Sequence, residues 1–158
     1  MPDDAALPPR GRSLARRGRD RLGRPVPLDS PDAVPDVPEQ ALRPEDALAL
    51  AQALLQQDRA FAAHEVLEAS WKAAAPDQRE AWQGLAQVCV GVTHLQRGNV
   101  VGGVRLLRRG AGRLDGVPGV RGWALTLADQ VEAGAVAVGG ARSPWRGTGG
   151  RLRLPEQL

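Results

Sequence analysis

Phe61-Ala62-Ala63-His64-Glu65-Val66-Leu67-Glu68-Ala69-Ser70-Trp71 is the stretch on which the fold turns. Laid on an α-helix, Phe61, His64, Glu68 and Trp71 share one stripe, and Ala63, Leu67, Ser70 and Ala74 share a second stripe roughly opposite. A helix with two contact faces is sandwiched between neighbours. The segment therefore predicts a helical bundle, with His64 and Glu68 in or beside its core. A carboxylate removed from water needs hydrogen-bonding partners, so the flanking segments have to supply them.

Working outward, Asp58 is a plausible N-cap for this helix, which extends to about Ala74. Pro76 and Asp77 close the turn and cap a following helix over about Gln78 to Arg97. That helix carries Trp82, Leu85, Ala86, Cys89, Val92 and Gln96 around one face. Gly84 and Gly91, seven apart on another face, leave room for a neighbouring helix. Gly98 ends it, and Asn99 caps the next helix, about Val100 to Leu114, with the stripe Val100, Val104, Leu107, Ala111 and Leu114. Upstream, Pro44 with Glu45 and Asp46 starts a helix that runs to about Gln57 and carries Ala47, Ala51, Leu54 and Leu55. Downstream, Asp115-Gly116-Val117-Pro118-Gly119 breaks the chain, and Val120, Ala124, Leu127 and Val131 mark a fifth helix.

The expected fold is thus all-α, a compact bundle of about five helices. A weak internal repeat refines it. When Gln57-Asp58-Arg59 is laid on Arg97-Gly98-Asn99, Phe61 matches Val101, Ala62-Ala63 match Gly102-Gly103, and Val66-Leu67 match Leu106-Leu107. Such an offset suits two stacked tetratricopeptide-like helical hairpins, closed by the fifth helix as a cap.

Of the 21 basic residues all but Lys72 are arginine, a bias read as coding composition. The net charge of +3 is unevenly spread. Met1 to Pro25 holds seven arginines against Asp3, Asp4 and Asp20, whereas Arg43 to Val138 holds ten basic and ten acidic residues. Residues 1–42, rich in arginine and proline, are expected to be a disordered or loosely draped tail. Residues 43–138 form the helical domain, and residues 139–158 a glycine-rich tail that Trp145, Leu152 and Leu154 tether to the body. Cys89 stands alone in an apolar run and reads as a small buried hydrophobe. With neither a secretory signal nor a membrane-length apolar stretch, the expected location is cytoplasmic.

Candidate chemistry centres on a polar line, Gln83, Gln87, Val90 and His94, facing the His64–Glu68 helix. If the two helices are antiparallel, Glu65 lies level with Gln87. His94 then lies level with Asp58, six residues from His64 and about 9 Å along the axis at ~1.5 Å per residue. The histidines are therefore poorly placed to share an ion, and no metal or other cofactor is expected. His64-Glu65 is not the start of the zinc-protease signature, which needs a second histidine where Glu68 stands.

The leading expectation is a structural His–Glu–Gln network, His64 and Glu68 with Gln83 or Gln87, in a non-enzymatic interaction or scaffold module. The alternative is a hydrolase-like or metal-binding site in the groove between these helices, with His64 as acid or base and Glu68 orienting it. Phe61, Trp71, Trp82 and Trp123 read as core anchors. Arg105, Arg108, Arg109 and Arg113 form a solvated face that, with the N-terminal arginines, is a second alternative as a phosphate or RNA site. The neutral domain argues against nucleic acid and points to a protein partner or a second copy, away from any membrane.

Three blocks carry a family resemblance: Phe61 to Glu68 with Trp71, then Trp82-Gln83-Gly84-Leu85-Ala86-Gln87, then His94-Leu95-Gln96-Arg97-Gly98-Asn99. In these the chain resembles, over about Pro44 to Leu114, a bacterial and archaeal family catalogued as domain of unknown function 309. The lead ending Leu22-Gly23-Arg24-Pro25 is similar to the actinobacterial branch of that family. The resemblance implies a compact helical fold and carries no agreed activity.

Overall fold

A computed structural model of the chain describes residues 17–139 and 150–158. Its helices are α1 (Pro44–Gln56), α2 (Ala60–Ala73), α3 (Arg79–Gln96), α4 (Val100–Ala111) and α5 (Pro118–Glu132), preceded by two-residue strands β1 (Gly18–Arg19) and β2 (Pro25–Val26). Each helix packs on the next in sequence, α1 on α2 through to α4 on α5. The all-α bundle is therefore assembled from neighbours, and the predicted apolar stripes supply most of its core. Leu48, Leu67, Trp82, Leu85, Leu107 and Leu127 are fully buried.

The seam between α3 and α4 is made of glycine. A Cβ on Gly84 would come within 3.0 Å of the Gly110 carbonyl oxygen, and one on Gly110 within 2.8 Å of the Gly84 oxygen. Seven residues along, Gly91 and Gly103 stand in the same relation, at 3.1 and 3.0 Å from each other's carbonyl oxygens. The spacing runs in opposite senses on the two helices, as antiparallel packing requires. Leu107 and Leu114 fill the hollows that Gly91 and Gly84 leave.

The helix starts are partly as expected. Pro44 opens α1, and the Asn99 side chain caps α4 by accepting from the Gly102 amide at 2.9 Å. Two caps need correction. Asp77 does not cap α3, whose N-cap is Gln78, without a side-chain cap bond. Asp58 is not the N-cap of α2 either: it sits at φ +60°, one residue earlier than the N-cap Arg59. Aspartate tolerates this left-handed conformation better than most residues, and here it ends α1 rather than starting α2. Asp58 N donates to Leu55 O and Arg59 N to Leu54 O, at 3.1 and 2.9 Å. The α3–α4 corner repeats this geometry forty positions on. There Gly98 has φ +80°, Gly98 N donates to Leu95 O at 3.0 Å and Asn99 N to His94 O at 2.8 Å.

From Arg17 onward the lead is laid against the helices, whereas residues 1–16 are outside the described part. β1 pairs antiparallel with β2, Arg19 bridges to Val34, and Leu22 is buried. Asp20 closes the turn between the strands by accepting from the Leu22 and Arg24 amides at 2.9 and 2.8 Å. Arginines tie it to the domain: Arg97 on Leu22 O, and Arg59 on Pro35 O at 2.7 Å. Charge-assisted bonds to main-chain carbonyls thus hold a segment too poor in apolar residues to make a core. At the other end Leu152 is 2 % exposed and Leu154 packs partly buried, as tethers should. Trp145 lies outside the described residues.

Candidate functional site

The stripe Phe61, His64, Glu68 runs along the edge of α2 that the lead covers. All three are half-buried, so the stripe sits at the margin of the core rather than within it. His64 Nε2 lies 3.3 Å from Glu68 Oε2, one turn on, and Lys72 Nζ reaches Glu68 Oε1 at 3.0 Å after another turn. Helical i, i+4 spacing brings these three groups together. The Phe61 ring packs on the His64 imidazole with centroids 5.7 Å apart.

The partner expected from α3 is elsewhere. Gln87 Oε1 accepts from Arg113 Nε at 3.3 Å, and Arg113 also forks onto Glu80 at 2.8 and 2.7 Å. Antiparallel register fixes which residues are level along the axis but not which way they point around it. Gln87 points toward α4, and half-buried Gln83, one turn earlier, shares that side of the helix. The polar group is thus His64–Glu68–Lys72, with no glutamine in it. His94 is also apart: its Nδ1 is 2.9 Å from Asn99 Nδ2, at the α3–α4 corner. Trp82 is buried in the core and Trp71 packs partly buried against it. Trp123 Nε1 donates to Gly150 O at 3.1 Å.

Two residues of the site were not singled out from sequence, Arg97 and Arg19. The Arg19 and Arg97 guanidinium carbons lie 5.1 and 5.6 Å from the Phe61 ring centroid, within reach of cation–π attraction. Gly23, at φ +75°, rests on the same ring so closely that a Cβ there would stand 2.2 Å from Phe61 Cγ. Arg19 also lies 4.0 Å from Glu65. The one signal in the sequence was a glycine set inside an arginine run, which marks a turn but not the ring beneath it. Beside this ledge, between the lead and α2, is a cleft of about 480 Å³ lined by Arg17, Arg19, Glu65, Glu68 and Lys72 among others. Its charges are mixed, with no single sign to select a ligand.

Burial governs the titrating groups. It lowers the His64 pKa below the ordinary 6.5, with Glu68 opposing and Lys72 adding to the effect. His94 is lowered by burial and by Arg97, and Glu65 is raised by burial against the pull of Arg19. Fully buried Cys89 is pushed up to about 12, so its thiol stays protonated and acts as a hydrophobe. The histidine shifts set a sign for stability. Both rings stay neutral in the fold below the pH at which the unfolded chain takes up protons. Their contribution is complete above about pH 6.5 and is lost as pH falls from there toward the folded values. Glu65, with its raised pKa, opposes this lower on the scale. Thermal melts should therefore show a lower Tm at pH 5.5 than at 7.5, with the difference reduced in His64→Gln; equal Tm values would contradict it.

Among the described residues no three His, Cys, Asp or Glu side chains are grouped so as to hold a metal ion. No helix among them is long and apolar enough to cross a membrane. Of the four arginines expected on helix 4, Arg108 is bound to Asp129 and Glu132, and Arg113, which lies just beyond the end of α4, to Glu80, while Arg105 and Arg109 are exposed. Residues 48–106 match a family model described as Domain of unknown function (DUF309). The match includes Phe61, His64, Glu68 and Arg97, and stops short of the arginine-rich lead. No curated protein and no solved structure matches the chain.

Proposed function

Taking residues 48–106 as a domain of the DUF309 family, we propose that it is a non-enzymatic interaction module. Its α2–α3 ledge, Phe61 with Glu65 and Arg97, holds an arginine-bearing turn of polypeptide. In this chain the occupant is its own lead. The observation that carries the reading is the seating of Gly23 and two guanidinium groups on Phe61. Phe61 is the sole phenylalanine of the chain and stands outside the fully buried core. An aromatic platform flanked by a carboxylate and an arginine that binds a main-chain carbonyl offers something to each part of such a turn. The ring takes the guanidinium, Glu65 takes its charge, and Arg97 takes the backbone. His64–Glu68–Lys72 fixes the ledge from the side.

The test is Gly23→Ala in the full chain, which places a Cβ against the Phe61 ring and strains a left-handed residue while leaving the helices unaltered. The variant should keep its helical circular dichroism and be cleaved by trypsin at Arg19 or Arg21 at least tenfold faster than the wild type. It should also bind a labelled peptide spanning Gly18 to Val34 added in trans, and Phe61→Ala in the same chain should abolish that binding. A released lead with no peptide binding would reduce the ledge to a packing contact and defeat the reading.

A further inference from the structure

The last nine residues are held on a different surface, and the manner of holding is specific. Trp123 on α5 bonds Gly150 O. On α1, the Gln52 amide uses both its functions on the main chain, Nε2 donating to Leu152 O at 3.2 Å and Oε1 accepting from Leu154 N at 2.8 Å. Gln78, at the start of α3, reaches Leu158 O at 3.5 Å. Arg151 and Arg153 are exposed, Leu152 is 2 % exposed and Leu154 is half-buried. Alternation with a period of two is the signature of an extended strand, and the segment lies in no helix.

We propose that the surface from Trp123 across Gln52 is a recognition groove for an extended peptide with leucines two residues apart, and that the chain's own end is an exchangeable occupant of it. Covering apolar residues of the core would need only an apolar side chain. The Gln52 contact does something more, since it reads the main chain of whatever lies there, while the depth at Leu152 selects a leucine. Main-chain bonds that give affinity and alternate pockets that give specificity define strand-like peptide recognition. The groove lies on α1 and α5, away from the Phe61 ledge, and its reading is independent of that one. The occupant argued for is a partner segment of the pattern Arg-Leu-Arg-Leu-Pro, as residues 151–155 read.

A tethered occupant competes at an effective concentration of order millimolar, so a free peptide should bind the wild type only weakly. The experiment uses the full chain with Leu152→Asp, which ejects the tail, and a fluorescent Gly150–Leu158 peptide. We expect at least tenfold tighter binding than to the wild type, and a loss of at least tenfold when Gln52→Ala is added. If Leu152→Asp loses its helical signal, Leu154→Pro serves instead, because it removes both the N–H that Gln52 accepts and the half-buried leucine side chain, and leaves the helices untouched. A folded variant with a released tail that binds no peptide overturns the proposal. A concentration-dependent wild-type dimer abolished by Gln52→Ala would place a second copy's tail in the groove and overturn the assignment to a partner.

Discussion

Gly110→Val will loosen the bundle along its middle, lowering stability by about 3 kcal/mol or more. Its first added carbon would meet the Gly84 carbonyl oxygen at 2.8 Å, Val88 Cγ2 at 2.9 Å and the Val88 amide nitrogen at 3.0 Å. Two of these three atoms are backbone and cannot swing aside, so α3 and α4 must separate. Overpacking of a core typically costs ~1–3 kcal/mol, and a helix pair that must move as a body belongs at the upper end. At roughly 4–8 °C per kcal/mol for a helical domain of about a hundred residues, a Tm drop of about 12 °C or more should appear in calorimetry. Gly122→Ala is the control. Gly122 lies on α5 with nothing within 4 Å of an added Cβ, so alanine there should stabilise by about 0.5–1 kcal/mol through helix propensity. An unchanged Tm for Gly110→Val would mean that the seam is not closed by glycine.

Trp82→Ala should cost about 3–5 kcal/mol, the usual range for truncating a buried tryptophan. Trp82 is 2 % exposed and is the largest fully buried side chain. One edge of the ring borders a solvent-open cleft of about 240 Å³ lined by Ser70, Ala73, Ala74 and Ala75 among others. Water can enter part of the vacated space, so the cost should lie toward the lower end of that range. Urea unfolding of the two proteins measures it, through the shift in midpoint at constant slope. A difference under about 1 kcal/mol would show that Trp82 is not an anchor.

What was legible in the sequence is explained by the kind of signal each feature leaves. Val104, Leu107, Ala111 and Leu114 announce a buried face because helical periodicity has no other cheap explanation, and all four are buried. Gly84 and Gly91 announce close approach, although their partners Gly103 and Gly110 are recognisable only once the pairing is known. Asp58 misled because aspartate suits both a helix start and a left-handed corner, and the choice depends on where α1 ends. The polar site misled in a different way. Level along two axes says nothing about azimuth, so Gln87 faces Arg113 while Glu68 turns to Lys72. For the lead, composition measures apolar content and leaves no sign of the carbonyls through which Arg59 and Arg97 fasten it.

The order of packing carries a kinetic consequence. Contacts between successive helices join residues close in sequence, and such topologies fold fast. The clasps at the two ends are the opposite: Arg97 to Leu22 spans 75 residues, and Gln52 to Leu152 and Leu154 spans 100 and 102. Closing such long loops only becomes favourable once the surfaces they land on exist. The helices therefore form first, and the two chain ends fasten onto a finished scaffold. That order predicts that the two clasps are the last contacts to close on refolding and the first to open, as seals added to a body already built.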